Sequence, residues 1–164
     1  MKRTRFTMTS THYILFSFML AILVGSILLT LPISSANGMA TPFIDALFTA
    51  TTSTCVTGLV VVPTVSSWSL FGQIVILILI QIGGLGIITI IASVTVFIHK
   101  RIGLSERLLL QDAFNLNTLS GMEVFVKKVI KGTFLIEGIG ACLYMLVFVP
   151  EFGLKGIWIS IFTS

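Results

Sequence analysis

Charged residues are scarce in this sequence, and their scarcity excludes most classes of soluble protein. Only 10% of the 164 residues are Lys, Arg, Asp or Glu, and the mean hydropathy is +1.09. Soluble domains hydrate their surface with roughly a quarter of charged residues. Between Asp45 and His99 there is no charged residue at all. The composition therefore predicts an integral membrane protein.

Cysteine and histidine are also sparse, which argues against a disulfide framework and against metal sites. Cys55 and Cys142 lie in apolar surroundings on segments with different roles, so we expect two free, buried thiols. His12 and His99 have no second ligand at metal-binding spacing. HExxH, CxxC, an Asp pair and a Ser/His arrangement are missing as well. The sequence thus predicts neither an enzyme nor a covalently bound cofactor.

Three apolar runs are long enough to cross a bilayer core of about 30 Å. They are Tyr13–Leu31, Leu70–Ile98 and Gly132–Pro150. The second run is long enough for a spanning helix that tilts or projects beyond the lipid. Basic residues before the first run also resemble a signal peptide, but this run exceeds the usual apolar stretch of about 7 to 15 residues. An uncleaved helix is therefore favoured.

The basic residues predict the orientation and the division of the chain. They cluster at the amino terminus and around the connector after the second run, and the positive-inside rule makes both cytoplasmic. We expect a cytoplasmic tail (1–12), a helix, loop and helix repeat (13–98), a connector (99–124) and an incomplete second repeat (125–164). The segment between the first two runs then lies on the outer side of the membrane.

That outer segment contains a short predicted helix followed by a threonine run. Thr41 can cap the helix, Pro42 suits its first position, and Asp45 in the first turn favours the helix dipole. Asp45 could instead concentrate cations at an outer mouth. Irregular backbone within a bilayer is tolerated only where it is buried in protein or lines a water-filled path. The sequence TATTSTCVTGL, Thr49–Leu59, is therefore either a re-entrant loop or an external turn.

Residues Thr54–Gly58 have the features that a dehydrated alkali cation requires. Peptide carbonyls can replace its hydration shell when a loop is held extended, and Gly58 permits a backbone conformation that other residues resist. The preceding helix would direct the negative end of its dipole at the ion. A Thr-Gly pair alone is common, so an external turn remains the alternative when only these residues are considered.

An internal match supports a repeated architecture. FIDALFTA (43–50) aligns with IWISIFTS (157–164), and each segment follows a spanning run and a proline-containing exit. The chain is expected to be all-α and polytopic, with one complete repeat of spanning helix, pore helix, loop and spanning helix. It holds only the start of a second repeat, and we expect it to be a partial chain.

Two further features have structural and functional interpretations. QIGGLG (81–86) lacks the strand and spacing of a dinucleotide-binding motif, and its glycines predict close helix packing instead. Glu137 is an acid inside an apolar run, where acids are functional by default. It lies near the cytoplasmic end and could pair with Lys128 or Lys131. Subunit contact or permeation is the alternative for Glu137.

The segments LPIS, FIDALFTATTSTCVTGL, FGQIVILILIQIGGLG and RIGLSERLLLQDAFN resemble the membrane subunit of bacterial Ktr potassium uptake systems, in the Trk/Ktr/HKT superfamily. The resemblance extends over nearly the whole chain. It implies potassium transport through four repeats around one pore in the cell membrane. The first quarter of the filter then consists of Thr54, Cys55, Val56, Thr57 and Gly58, with potassium at the backbone of the last three.

The resemblance also implies partner subunits, while two other functions remain as alternatives. It implies a homodimer of membrane subunits and a cytosolic, nucleotide-binding regulatory subunit of the KtrA type. Potassium is the implied transported ion, with sodium as a second candidate. One complete loop cannot close a four-part filter. A non-conducting membrane scaffold, or a secondary carrier with a midplane site for another small solute, is the alternative.

Overall fold

The described part of the protein is built of helices. A computed structural model describes residues 10–86, 89–90, 92, 103–104, 108, 111 and 122–164, so most of the connector predicted at 99–124 lies outside it. Within these residues an isolated bridge joins Ser35 and Trp68, and no strand forms. The helices are α1 (Ser10–Thr30), α2 (Phe43–Thr54), α3 (Thr64–Ser67), α4 (Leu70–Leu85), α5 (Met122–Phe152) and α6 (Leu154–Thr163).

Two of these helices have the length and apolar composition of membrane spans. α1 has 21 residues and forms a helix over the first predicted run, while α5 has 31 residues and begins ten positions before the predicted Gly132. Both expose large apolar side chains, such as Phe16 at 63% and Ile136 at 72%. The core helix of a soluble protein would bury such residues. The exposure agrees with a lipid-facing surface.

The helix expected to continue through Leu70–Ile98 is interrupted. α4 ends at Leu85, and Gly86 adopts a φ of 77°. The N–H of Ile90 donates to the Gly86 carbonyl at 3.2 Å, and Thr89 and Ile90 are again helical. A glycine at positive φ cannot continue a right-handed helix, and this break is invisible to a prediction based on the length of an apolar run. Residues 93–98 lie outside the described chain.

α2 packs between α1 and α4 through small side chains. Ala46 and Ala50 are fully buried and join a core with Leu29, Ile76 and Leu79. The predicted cap at Thr41 is wrong: the helix begins after Pro42, and no side chain hydrogen-bonds to its first turn. The short predicted helix also continues through the threonine run, because α2 extends to Thr54.

The two ends of the segment between α1 and α4 are hydrogen-bonded to each other beside the start of α4. The N–H of Ser69 donates to the Ser34 carbonyl at 2.9 Å, and the N–H of Ala36 donates to the Ser67 carbonyl at the same distance. A Cβ on Gly72 would collide with the Ser34 carbonyl oxygen. The start of α4 therefore packs directly against the chain that leaves α1.

A sharp turn places α6 against α5. Gly153 separates the two helices with a φ of 61°, and Gly156 has no room for a Cβ beside the Phe148 backbone. Ser160, which aligns with Ala46 in the internal match, is fully buried as Ala46 is. Both short helices thus follow a long apolar helix and bury a small residue at the aligned position.

Candidate functional site

The threonine run satisfies most of its hydroxyls within α2. Thr49, Thr51, Ser53 and Thr54 each donate to the carbonyl four residues earlier, at 2.6 to 2.8 Å. A buried hydroxyl without a partner costs free energy, and this local pairing removes that cost. The run can therefore lie in an apolar protein as part of a helix, with its small side chains against α1 and α4.

Thr52 is bonded differently from its neighbours in the run. Its Oγ1 accepts a hydrogen bond from the Leu59 N–H at 2.9 Å and lies 2.6 Å from the Thr57 Oγ1. Its carbonyl accepts from the Thr57 N–H at 3.0 Å. One residue in the last turn of α2 therefore contacts the following loop on both sides of Gly58.

The end of α2 is a Schellman motif with an unusual residue at its turning point. The N–H of Val56 donates to the Ser53 carbonyl and that of Thr57 to the Thr52 carbonyl, at 3.3 and 3.0 Å. The turning position has φ 52° and is occupied by Val56, where glycine is the usual residue. A β-branched residue at positive φ is strained. Such strain persists only where the surroundings hold the backbone in place.

The loop leaves a series of carbonyl oxygens available. Within the described residues, no N–H or hydroxyl donates to the carbonyls of Cys55, Val56, Thr57 or Gly58. All four residues are exposed, and Gly58 has a φ of 73°. Unpaired carbonyls beside the negative end of a helix dipole are suited to bind a cation.

Thr54 is separate from these four predicted site residues. It is the last residue of α2, it is 1% exposed, and its carbonyl lies against Gly83 of α4. A Cβ at Gly83 would overlap this oxygen and come within 2.8 Å of the carbonyl carbon. The predicted close packing at QIGGLG is confirmed at Gly83, whereas Gly84 has open space around it.

An apolar cavity of about 220 Å³ lies behind the loop. Its walls include residues Leu59–Val62 of the chain after the loop, Ile76 and Ile80 of α4, and Phe162 of α6. Phe162 also packs against the hydrophobic core that α1, α2 and α4 share. α6 therefore contributes to the wall of the cavity beside the loop that follows α2.

Asp45 and the loop lie at opposite ends of α2. Asp45 is half-buried in the first turn, as predicted, beside a shallow pocket that also contains Trp68 and Thr41. Cys55 follows Asp45 by ten positions along α2, which is about 15 Å at 1.5 Å per residue. The structure does not bring Asp45 together with the carbonyl oxygens of the loop.

Glu137 has a partner that the sequence did not predict. Its Oε1 accepts a hydrogen bond from the Gln81 Nε2 at 2.6 Å, so the contact joins α5 to α4. Lys128 and Lys131, the expected partners, are exposed on α5. Cys55 and Cys142 are free as expected, but both are exposed and not buried.

A second glutamine of α4 makes the corresponding contact to α6. Gln73 accepts from the Trp158 Nε1 at 2.6 Å and donates to the Trp68 carbonyl at 3.0 Å. Gln73 and Gln81 are the polar side chains of an otherwise apolar helix. Isolated polar residues in such helices commonly form hydrogen bonds between helices. This signal in the sequence could have identified both glutamines as residues that bond to another helix, although not their partners.

Removing either side chain of the Gln81–Glu137 pair is expected to lower stability. Glu137→Leu or Gln81→Leu leaves one polar group unpaired, at a cost of about 1–2 kcal/mol. The double variant removes both groups and should be more stable than either single variant. Thermal unfolding of the complete protein in detergent measures the effect. A change in ion selectivity without a change in stability would place Glu137 in the permeation pathway instead.

Comparison with known proteins identifies the family. No family model matches the chain. It is 44% identical to the potassium/sodium uptake protein NtpJ of Enterococcus hirae over 162 residues, which is 98% of this chain and 36% of that protein. It is 41% identical to the Ktr system potassium uptake protein B of Bacillus subtilis, over 94% of this chain and 34% of that protein.

A third relative gives the same result. The Ktr system potassium uptake protein B of Vibrio alginolyticus is 36% identical over 92% of this chain and 33% of that protein. The chain thus spans about a third of the length of these relatives. All three are named for transport, which confirms the expectation of a non-enzymatic family, and the long apolar helices agree with a membrane protein. The chain belongs to the Ktr family of potassium uptake proteins.

Proposed function

We propose that this chain forms the first quarter of a potassium uptake pathway. In this proposal α2 is a pore helix that enters the membrane from the outside, and the loop after it returns to the same side. Potassium is coordinated by the backbone oxygens of Val56, Thr57 and Gly58. Thr54 and Cys55 complete the filter segment at the end of the helix.

One observation carries the proposal: the carbonyls of Cys55–Gly58 are unpaired within the described residues, on a loop attached to α2. Removing the hydration shell of potassium is unfavourable unless other oxygens replace it. The loop supplies such oxygens without an acidic side chain. The names of the relatives support potassium as the ion, and that of the Enterococcus relative makes sodium a second candidate.

The complete pathway requires four such repeats in this proposal. The chain contributes one complete repeat (13–98) and the start of another (125–164), separated by a cytoplasmic connector. The matched burial of Ala46 and Ser160 supports the equivalence of α2 and α6. The protein is a multi-pass protein of the plasma membrane, and its amino terminus lies in the cytoplasm. Asp45 then lies near the outer mouth, where it favours the entry of cations.

Two partners complete the proposal. The membrane subunit forms a homodimer, and a cytosolic, nucleotide-binding subunit of the KtrA type gates uptake. The support is the family alone, since two of the relatives are named as proteins B and D of a Ktr system. No residue of the described chain is assigned to either contact.

Uptake by the complete protein tests this function. Expressed in a bacterium that lacks its own potassium uptake, with and without the regulatory subunit, it is expected to restore growth at low potassium and saturable potassium uptake. A vector without the gene is the control. Protein that reaches the membrane but transports no potassium would favour the scaffold. Transport of another small solute, with no potassium uptake, would favour the secondary carrier.

A further inference from the structure

The hydroxyl of Thr52 is available to the filter loop because it is not used within the helix. Its neighbours Thr51 and Ser53 donate to their own helix carbonyls, those of Leu47 and Thr49. The Thr52 hydroxyl bonds instead to the Leu59 N–H and the Thr57 hydroxyl. This difference is specific: the same type of side chain, one position away, makes no hydrogen bond to the loop.

The hydrogen bonds of Thr52 reach the loop on both sides of Gly58, among the residues with unpaired carbonyls. Its carbonyl and hydroxyl bond to Thr57, before Gly58, and its hydroxyl also bonds to Leu59, after Gly58. The loop therefore cannot widen or narrow at Gly58 without breaking at least one of these hydrogen bonds. α2 itself is anchored, because its Thr54 carbonyl lies against the Gly83 backbone.

The hydrogen-bond donors and acceptors are compatible with a cation at Thr57. The Thr52 oxygen has two lone pairs, and the Leu59 N–H occupies one of them. If Thr57 donates its proton to the second, both lone pairs of the Thr57 oxygen stay available to a cation. A cation near Thr57 favours this direction, because it repels the hydroxyl proton.

We propose that Thr52 is a positioning residue that fixes the spacing of the filter oxygens and thereby sets the preference for potassium over sodium. The inference rests on the proposed function. Thr52 itself does not touch the ion; it acts through the positions of Thr57 and Leu59. Because the ions differ in size, a loop free to move at Gly58 discriminates between them less well.

Substitution of the hydroxyl by a methyl group tests the role. In the complete protein, Thr52→Val is expected to raise the KM for potassium uptake and to lower the potassium-to-sodium preference, each by about tenfold, with the maximal rate less affected. Thr52→Ser keeps the hydroxyl and should restore both values. Thr51→Val is the matched control, since it loses a hydroxyl bonded only within α2.

The outcomes separate this inference from the proposed function. Wild-type protein without potassium uptake would refute the function. Wild-type uptake, together with equal KM and selectivity in Thr52→Val and Thr51→Val, would overturn the role of Thr52 alone. If Thr52→Val does not accumulate, Thr52→Ala against Thr51→Ala gives the same comparison with a stronger helix former. Failure of both position-52 variants to accumulate, with both controls present, assigns Thr52 to folding and also overturns the proposal.

Discussion

Gly83→Ala is expected to destabilise the protein and to abolish potassium uptake. The added Cβ would overlap the Thr54 carbonyl oxygen and lie 2.8 Å from its carbon, where nonbonded carbons prefer about 3.5 to 4.0 Å. Backbone atoms cannot move aside as a flexible side chain can, so α4 and α2 must separate. Forced overpacking of this kind costs about 1–3 kcal/mol. Thermal unfolding of the purified complete protein and potassium uptake in cells measure the two effects.

The adjacent glycine provides the control for this prediction. Gly84 lies on the same helix, and a Cβ added to it meets no atom within 4 Å. Gly84→Ala should therefore leave both stability and uptake close to wild type, with a small gain from the better helix propensity of alanine. Equal behaviour of the two variants would show that the contact of Gly83 with Thr54 does not hold the helices in place.

The long apolar helices α1 and α5 could be predicted because they depend on local composition. An apolar run of sufficient length forms a helix in a membrane whatever its neighbours are, since each backbone group must be paired within the segment. The interruption of α4 at Gly86 does not follow from composition. It depends on a positive φ at one glycine of several in QIGGLG, and the run on either side is equally apolar.

The non-helical residues Cys55–Gly58 lie within the predicted loop, whereas the helix before them extends further than predicted. The sequence predicts a short helix that is followed by a loop at the threonine run, because threonine is a weak helix former. In the structure the hydroxyls bond to helix carbonyls, so the helix continues, and Val56 forms the turn. A β-branched residue at positive φ is too rare for a sequence pattern to predict.

The partners of the polar side chains depend on the tertiary fold. Glu137 and Gln81 are 56 positions apart, and Gln73 and Trp158 are 85 positions apart. Local spacing suggested lysines for Glu137, but these project from other faces of the same helix. The sequence indicates that such polar residues in apolar helices need partners, and the fold determines which ones they find.

Gly58→Ala is expected to weaken the discrimination of potassium over sodium. Gly58 has a φ of 73°, and an alanine there costs about 1–2 kcal/mol, although no atom obstructs its Cβ. The loop can relieve this strain by turning the peptide, which moves the carbonyls of Thr57 and Gly58 relative to each other. Such an energy corresponds to about a tenfold loss of selectivity. Uptake of the two ions in a potassium-transport-deficient bacterium measures it.

Gly38→Ala is the control for this prediction. It distinguishes the effect of backbone strain in general from the effect of strain at Gly58. Gly38 has a φ of 67° and open space around it, so the same substitution imposes a similar conformational cost in the segment before α2. Both variants should therefore lose similar stability, while selectivity changes only in Gly58→Ala. If selectivity falls equally in both, general destabilisation is the cause. If it falls in neither, the loop oxygens do not coordinate the transported ion, because a filter built from them cannot tolerate a turned peptide at Gly58.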